Sequence, residues 1–90
     1  MADNQFELSI ITPLKTIYQD SIISLIVPSE LGFLGILKNH APLVANLAPG
    51  KITIKDKSNS LLIFNSNSKG ILEVVNNIAT VALDSTPNIQ

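Results

Sequence analysis

The chain alternates between apolar and polar positions. Phe6, Leu8 and Ile10 are separated by Glu7 and Ser9, and Ile52 and Ile54 stand between Lys51, Thr53 and Lys55. Apolar side chains two residues apart put one face of a strand against a core and leave the other to water. Strand-like runs recur at residues 60–65, 71–75 and 78–83. A short run, Thr16-Ile17-Tyr18-Gln19, precedes residues 22–27, where Ser24 alone interrupts the apolar side chains. A nearly continuous apolar run of that length predicts a central strand covered on both faces.

The punctuation between these runs is that of turns. Pro13 ends the first run, Pro28-Ser29-Glu30 with Gly32 follows the third, and Asn39, Pro42, Pro49-Gly50 and Asp56-Lys57-Ser58-Asn59 mark others. Asn76-Asn77 lies between two runs at the spacing of a two-residue hairpin loop. Asparagine tolerates the positive φ that a type I′ turn needs at both central positions. The one helix candidate, residues 40–48, contains Pro42 and is too short to stand alone. Asp84-Ser85-Thr86-Pro87 looks like a helix start, but residues 85–90 leave no room for one and read as a short tail after a domain of residues 1–84. Short strands between closely spaced turns predict an all-β sandwich or barrel.

Composition narrows what such a domain does. Ninety residues suit a single domain. Surface scaling gives roughly 5,000 Å² for the folded chain against roughly 14,000 Å² unfolded, which allows one thin core. With 46% apolar and only 14% charged residues, intrinsic disorder is excluded. A surface poor in charge suits contact with a partner. There is no cysteine, hence no disulfide, no thiolate metal site and no cysteine nucleophile. A net charge of −1, with six lysines and no arginine, argues against nucleic acid. No apolar stretch approaches the length of about 20 residues that a spanning helix needs. Met1-Ala2-Asp3-Asn4-Gln5 is polar and acidic, unlike a secretion signal.

Catalytic chemistry finds no foothold. His40 is the single histidine, too few for a multi-histidine metal site. A serine–histidine pair needs only one histidine, but no Gly-x-Ser-x-Gly elbow accompanies it. His40 therefore reads as a structural or interface residue. Gly50-Lys51 lacks the glycine and hydroxyl residue of a phosphate loop, because Ala45 and Ile52 occupy those positions. Gly32 and Gly35 have no following helix and read as strand or turn glycines. The carboxylates are dispersed and lie mostly beside turns. The unusual feature is apolar residues in apparent loops, Leu31-Gly32-Phe33-Leu34 and Ala41-Pro42-Leu43-Val44. They either close one end of the core or form a protein-binding patch.

The same residues carry a family resemblance. The run Leu31-Gly32-Phe33-Leu34-Gly35-Ile36-Leu37-Lys38-Asn39-His40-Ala41-Pro42-Leu43 resembles the signature of the epsilon subunit of F-type ATP synthase. Ile10-Ile11-Thr12-Pro13, Leu47-Ala48-Pro49-Gly50, Gly70-Ile71-Leu72-Glu73-Val74 and Ile78-Ala79-Thr80-Val81-Ala82-Leu83 are similar to that family's other strand and turn segments. Lys69 stands where the first of the family's two glycines falls. The likeness covers residues 6–84.

What the resemblance implies is specific. The fold would be a ten-stranded antiparallel β-sandwich, the family's amino-terminal domain. The chain would be a non-catalytic rotor subunit without a cofactor, joining the gamma subunit to the c-ring for proton-driven ATP synthesis. Ser29, Glu30, Leu31, Gly32 and Phe33 would meet the c-ring. Thr12, His40, Ala41, Pro42, Leu43 and Ala45 would meet gamma. The carboxy-terminal helical hairpin, which inhibits ATP hydrolysis in that family, would be missing, and inhibition with it. The protein would sit at the cytoplasmic face of the bacterial cell membrane, bound there only through the complex. Against this stand a free-standing ligand- or protein-binding sandwich, supported by fold class alone, and a small serine–histidine hydrolase, supported only by residue availability.

Overall fold

The computed structural model describes residues 4–89. Its strands are β1 (Phe6–Ile11), β2 (Thr16–Ser29), β3 (Gly32–Ile36), β4 (Leu43–Leu47), β5 (Gly50–Asp56), β6 (Leu61–Ser66), β7 (Gly70–Val75), β8 (Ile78–Leu83) and β9 (Asn88–Ile89). No helix occurs among the described residues. The all-β expectation holds. Nine strands lie among the described residues, close to the ten expected, and one ladder, β1 with β8, is parallel rather than antiparallel.

β2 organises the two layers. Its first half pairs with β1, and β8, β7 and β4 continue that layer outward. Its second half lies between β3 and β5, with β6 and β9 beyond. The register slips between Ile22 and Ser24, so Ile23 is the extra residue of a bulge. Bulges bend and twist a strand, which lets β2 leave one layer and enter the other. The runs at residues 16–19 and 22–27, separate in the sequence pattern, are thus one strand. Nor is the second run covered on both faces. Leu25 and Val27 are fully buried, whereas Ile26 is 42% exposed.

The alternating positions meet between the layers. Phe6, Leu8 and Ile10 of β1 pack with Leu25 and Val27 of β2, Ile52 and Ile54 of β5, and Leu72 and Val74 of β7. Tyr18 from the first layer meets Phe64 of the second edge-on, with ring centroids 5.9 Å apart. Burial pushes the Tyr18 hydroxyl above its ordinary pKa, and Asp20 and Asp56 add to the shift. The accessible surface of 5204 Å² agrees with the scaling expected for this mass. Exposed apolar side chains are therefore not a symptom of loose packing.

Two local details fix the ends. Asn76 and Asn77 take φ of 50° and 61°, the type I′ geometry expected from their spacing. At Gly70 a Cβ would stand 2.5 Å from the Ala82 carbonyl oxygen. Of the family's glycine pair, the second is thus the one the packing requires. Lys69 at the first position accepts a hydrogen bond from the Asp84 amide through its carbonyl, which any residue can supply. Beyond Leu83, where a tail was expected, Asn88 and Ile89 pair with Asn65 and Phe64 of β6.

Candidate functional site: a hairpin tip, a clasped corner and an open strand edge

The segments that look like loops in the sequence are mostly strands. Residues 32–36 form β3 and residues 43–47 form β4. Their alternation decides between the two readings of their apolar content. Leu34 and Leu43 pack on the core, while Leu31, Phe33 and Val44 point outward. Each segment thus does both jobs, one on each face.

The β2–β3 tip is built to present side chains. The Ser29 hydroxyl donates to the Gly32 carbonyl at 2.6 Å and accepts from the Leu31 amide at 3.2 Å. The positive φ of the turn falls on Gly32, at +123°. Glu30 donates its amide to the Asn46 carbonyl of β4, and Ala48 donates to the Pro28 carbonyl. The tip is thereby tied to the layer beneath it. On this anchored turn Leu31 is 100% exposed and Phe33 71% exposed. Ser29, Glu30, Leu31, Gly32 and Phe33 form one contiguous surface.

The β3–β4 corner is held differently. Asn39 adopts a positive φ of 65°, and its amide donates to Asn77 Oδ1 at 2.6 Å. Asn77 Nδ2 returns a bond to Asn39 Oδ1 at 3.1 Å. The Asn77 carbonyl in turn accepts from the Glu7 amide. Two reciprocal side-chain bonds therefore clasp the corner to the β7–β8 hairpin. His40 follows directly, its amide bonded to the Leu37 carbonyl and its Nδ1 2.8 Å from the Ala41 carbonyl. Its imidazole meets backbone, and among the described residues no carboxylate or serine hydroxyl is hydrogen-bonded to it. Among the described residues no cluster of histidine, cysteine and carboxylates is placed to hold a metal ion.

Of the residues assigned to gamma from sequence, His40, Ala41, Pro42, Leu43 and Ala45 run along this corner into β4. Thr12 does not join them. It follows the end of β1 that pairs with Ala82, whereas the corner is clasped next to Ile78. Those positions are four rungs apart on β8, about 13 Å. Thr12 instead shapes its own turn, its hydroxyl accepting from the Leu14 and Lys15 amides. Ala45 is half-buried opposite Leu72. A groove of about 310 Å³ joins the tip to β4, lined by Ser29, Glu30, Leu31, Val44, Ala45 and Asn46. The sequence pattern missed this junction, because Val44 seemed to lie in a loop and its neighbour in the groove, Leu31, comes from another hairpin.

Two layers of strands with an anchored apolar tip and an exposed strand edge define a β-sandwich domain. The sequence matches, over residues 5–88, the family model described as ATP synthase, Delta/Epsilon chain, beta-sandwich domain, and the chain belongs to that family. It is 40% identical over 84 residues to the ATP synthase epsilon chain of Leptospira interrogans, covering 93% of this chain and 65% of that one. It is 35% identical over 85 residues to that of Protochlamydia amoebophila, covering 94% and 57%. The chain thus spans less than two thirds of the length of these relatives. In fold it resembles a chain of the Euglena gracilis mitochondrial ATP synthase structure containing OSCP, F1 and c-ring. The TM-score is 0.84 at 20% identity, over 92% of this chain and 53% of that chain. A chain from the central stalk and c-ring of the Tetrahymena thermophila enzyme gives 0.67 at 18% identity, over 88% and 63%.

Proposed function

We propose that this chain is a non-catalytic rotor subunit of an F-type ATP synthase, joining gamma to the c-ring and turning with them. The observation that carries this reading is the tip, where Leu31 and Phe33 stand exposed on a turn pinned by Ser29 and tied to β4 by Glu30. Torque passes only through a contact that does not yield. Strand-borne side chains on an anchored hairpin meet that need better than a free loop. In this assignment Ser29, Glu30, Leu31, Gly32 and Phe33 meet the c-ring. The corner from His40 to Leu43, with Ala45, meets gamma, and Thr12 belongs to neither patch. The protein then lies at the cytoplasmic face of a bacterial cell membrane, held there by its partners.

The test is the double substitution Leu31→Ser with Phe33→Ser, in membranes that carry the enzyme. ATP hydrolysis should persist while ATP-driven proton pumping is lost. Pumping at the wild-type level would reject the assignment.

A further inference from the structure

The open edge of β4 is the feature that the tip and corner leave unused. β4 pairs along its length with β7, but on its other side, among the described residues, it makes one bridge, Ser29 with Leu47. There the Asn46 carbonyl accepts from Glu30. Backbone groups of alternate residues point to the same side of a strand. The N–H and C=O of Val44 therefore point into the same open edge, beyond the reach of the bridge. An unpaired edge is a template for another strand, and folded proteins usually guard it with lysine, proline, a bulge or brevity. Among the other flanks, β9 has two residues, β3 is interrupted by Gly32 and Gly35, and β2 ahead of Ile22 carries the Asp20–Lys57 ion pair, while β6 ahead of Phe64 is left unpaired by the short β9. Residues 43–47 contain no lysine, glycine or proline.

We infer that the edge of β4 receives an extended strand from the protein partner, added antiparallel or parallel beside Val44. This rests on the rotor-subunit reading and names gamma as the donor. The side chains around the edge state what that strand must carry. Leu31 and Val44, 100% and 71% exposed, flank the edge at the tip. A second hollow of about 360 Å³, with Pro42 and Val75 in its lining, continues along β4 towards the corner. The charged residues of the two hollows are Glu30 and Glu73, with no lysine between them, and Lys69 lies in the adjoining hollow beyond Asn46. The incoming segment therefore alternates apolar residues and carries a basic residue towards Glu73, while Glu30 stays with the tip that faces the c-ring. Main-chain bonds supply the attachment and the flanking apolar contacts the specificity.

Amide hydrogen exchange at Val44 tests this, compared between the free chain and its complex with gamma. Exchange should slow by roughly tenfold or more in the complex, because the amide passes from water to a partner carbonyl. Val44→Pro deletes that N–H and no bond to β7. It should keep the wild-type thermal midpoint and weaken gamma binding about tenfold or more. Val44→Thr, which keeps the N–H, should bind gamma more tightly than Val44→Pro. A complex that forms with Val44 exchange unchanged would overturn the added strand and leave the rotor reading standing. Wild-type gamma affinity in Val44→Pro would do the same. Failure of gamma to bind the wild-type chain would overturn the rotor reading and the added strand together.

Discussion

Leu31 and His40 belong to one continuous segment, yet the two are held in opposite ways. Around Leu31 the backbone is fixed by Ser29 and by the link to β4, and the side chain is left wholly in water. Around His40 the fixing is done by side chains, the reciprocal pair of Asn39 and Asn77. The tip fastens its main chain so that side chains are free to meet something else. The corner uses its side chains to close the fold on itself. A single signature therefore combines exposed side chains on a fastened backbone with side chains spent on shape, and the two should separate under mutation.

The corner should give the larger loss of stability. Asn77→Ala removes two hydrogen bonds worth about 1 kcal/mol each and places alanine at a positive φ that costs about 1 more, so we expect a loss of roughly 2–3 kcal/mol in urea unfolding. Asn77→Gly keeps the backbone freedom and should recover about 1 kcal/mol of that. A neutral Asn77→Ala would mean that the clasp does not hold the corner. At the tip, Phe33→Ala should change stability by less than about 0.5 kcal/mol and weaken partner binding by about 1–2 kcal/mol, as read by titration with gamma or c-ring. Loss of stability there would show that Phe33 belongs to the core after all. Gly32→Ala has open space for its methyl group but a φ of +123°. It should cost about 1 kcal/mol, between the other two, and leave the Asn77 effect additive.

Much of this contrast was legible beforehand, and what was missed has a physical cause. The strands with clean alternation, such as residues 6–10 and 51–55, and the Asn76-Asn77 turn follow from period and φ preference alone. β3 and β4 were hidden because Gly32, Gly35 and Pro42 are weak strand formers, so their apolar residues looked like loop content. Their strand character comes from pairing with β2 and β7, a tertiary effect that no local preference reports. The tip residues lie together in sequence, so their turn was visible as one unit. The grouping of Thr12 with His40 was not supported, because proximity across a layer depends on register along β8. The clasp was equally unreadable, since Asn39 and Asn77 are 38 residues apart.

The smallest expected effect separates neutral from ionic fastening. Asp20 is drawn below the usual carboxylate range, first by the Ser21 amide and then by Lys57, whose Nζ lies 3.2 Å from Oδ1. A folded-state pKa below the unfolded value near 4 means that the unfolded chain binds more protons there. The contribution of Asp20 is thus present above about pH 4 and fades as the pH falls through the folded value. It is slight, because the carboxylate is exposed and solvent screens it. The asparagine clasp carries no charge. Urea midpoints measured from pH 7 downward should therefore show the small offset of Asp20→Asn vanishing in acid, while the larger offset of Asn77→Ala stays constant. Should the Asn77→Ala offset fade as well, the clasp would be coupled to an ionised group. Glu7 is then the residue to substitute, because its amide donates to the Asn77 carbonyl while its carboxylate accepts from Ser21.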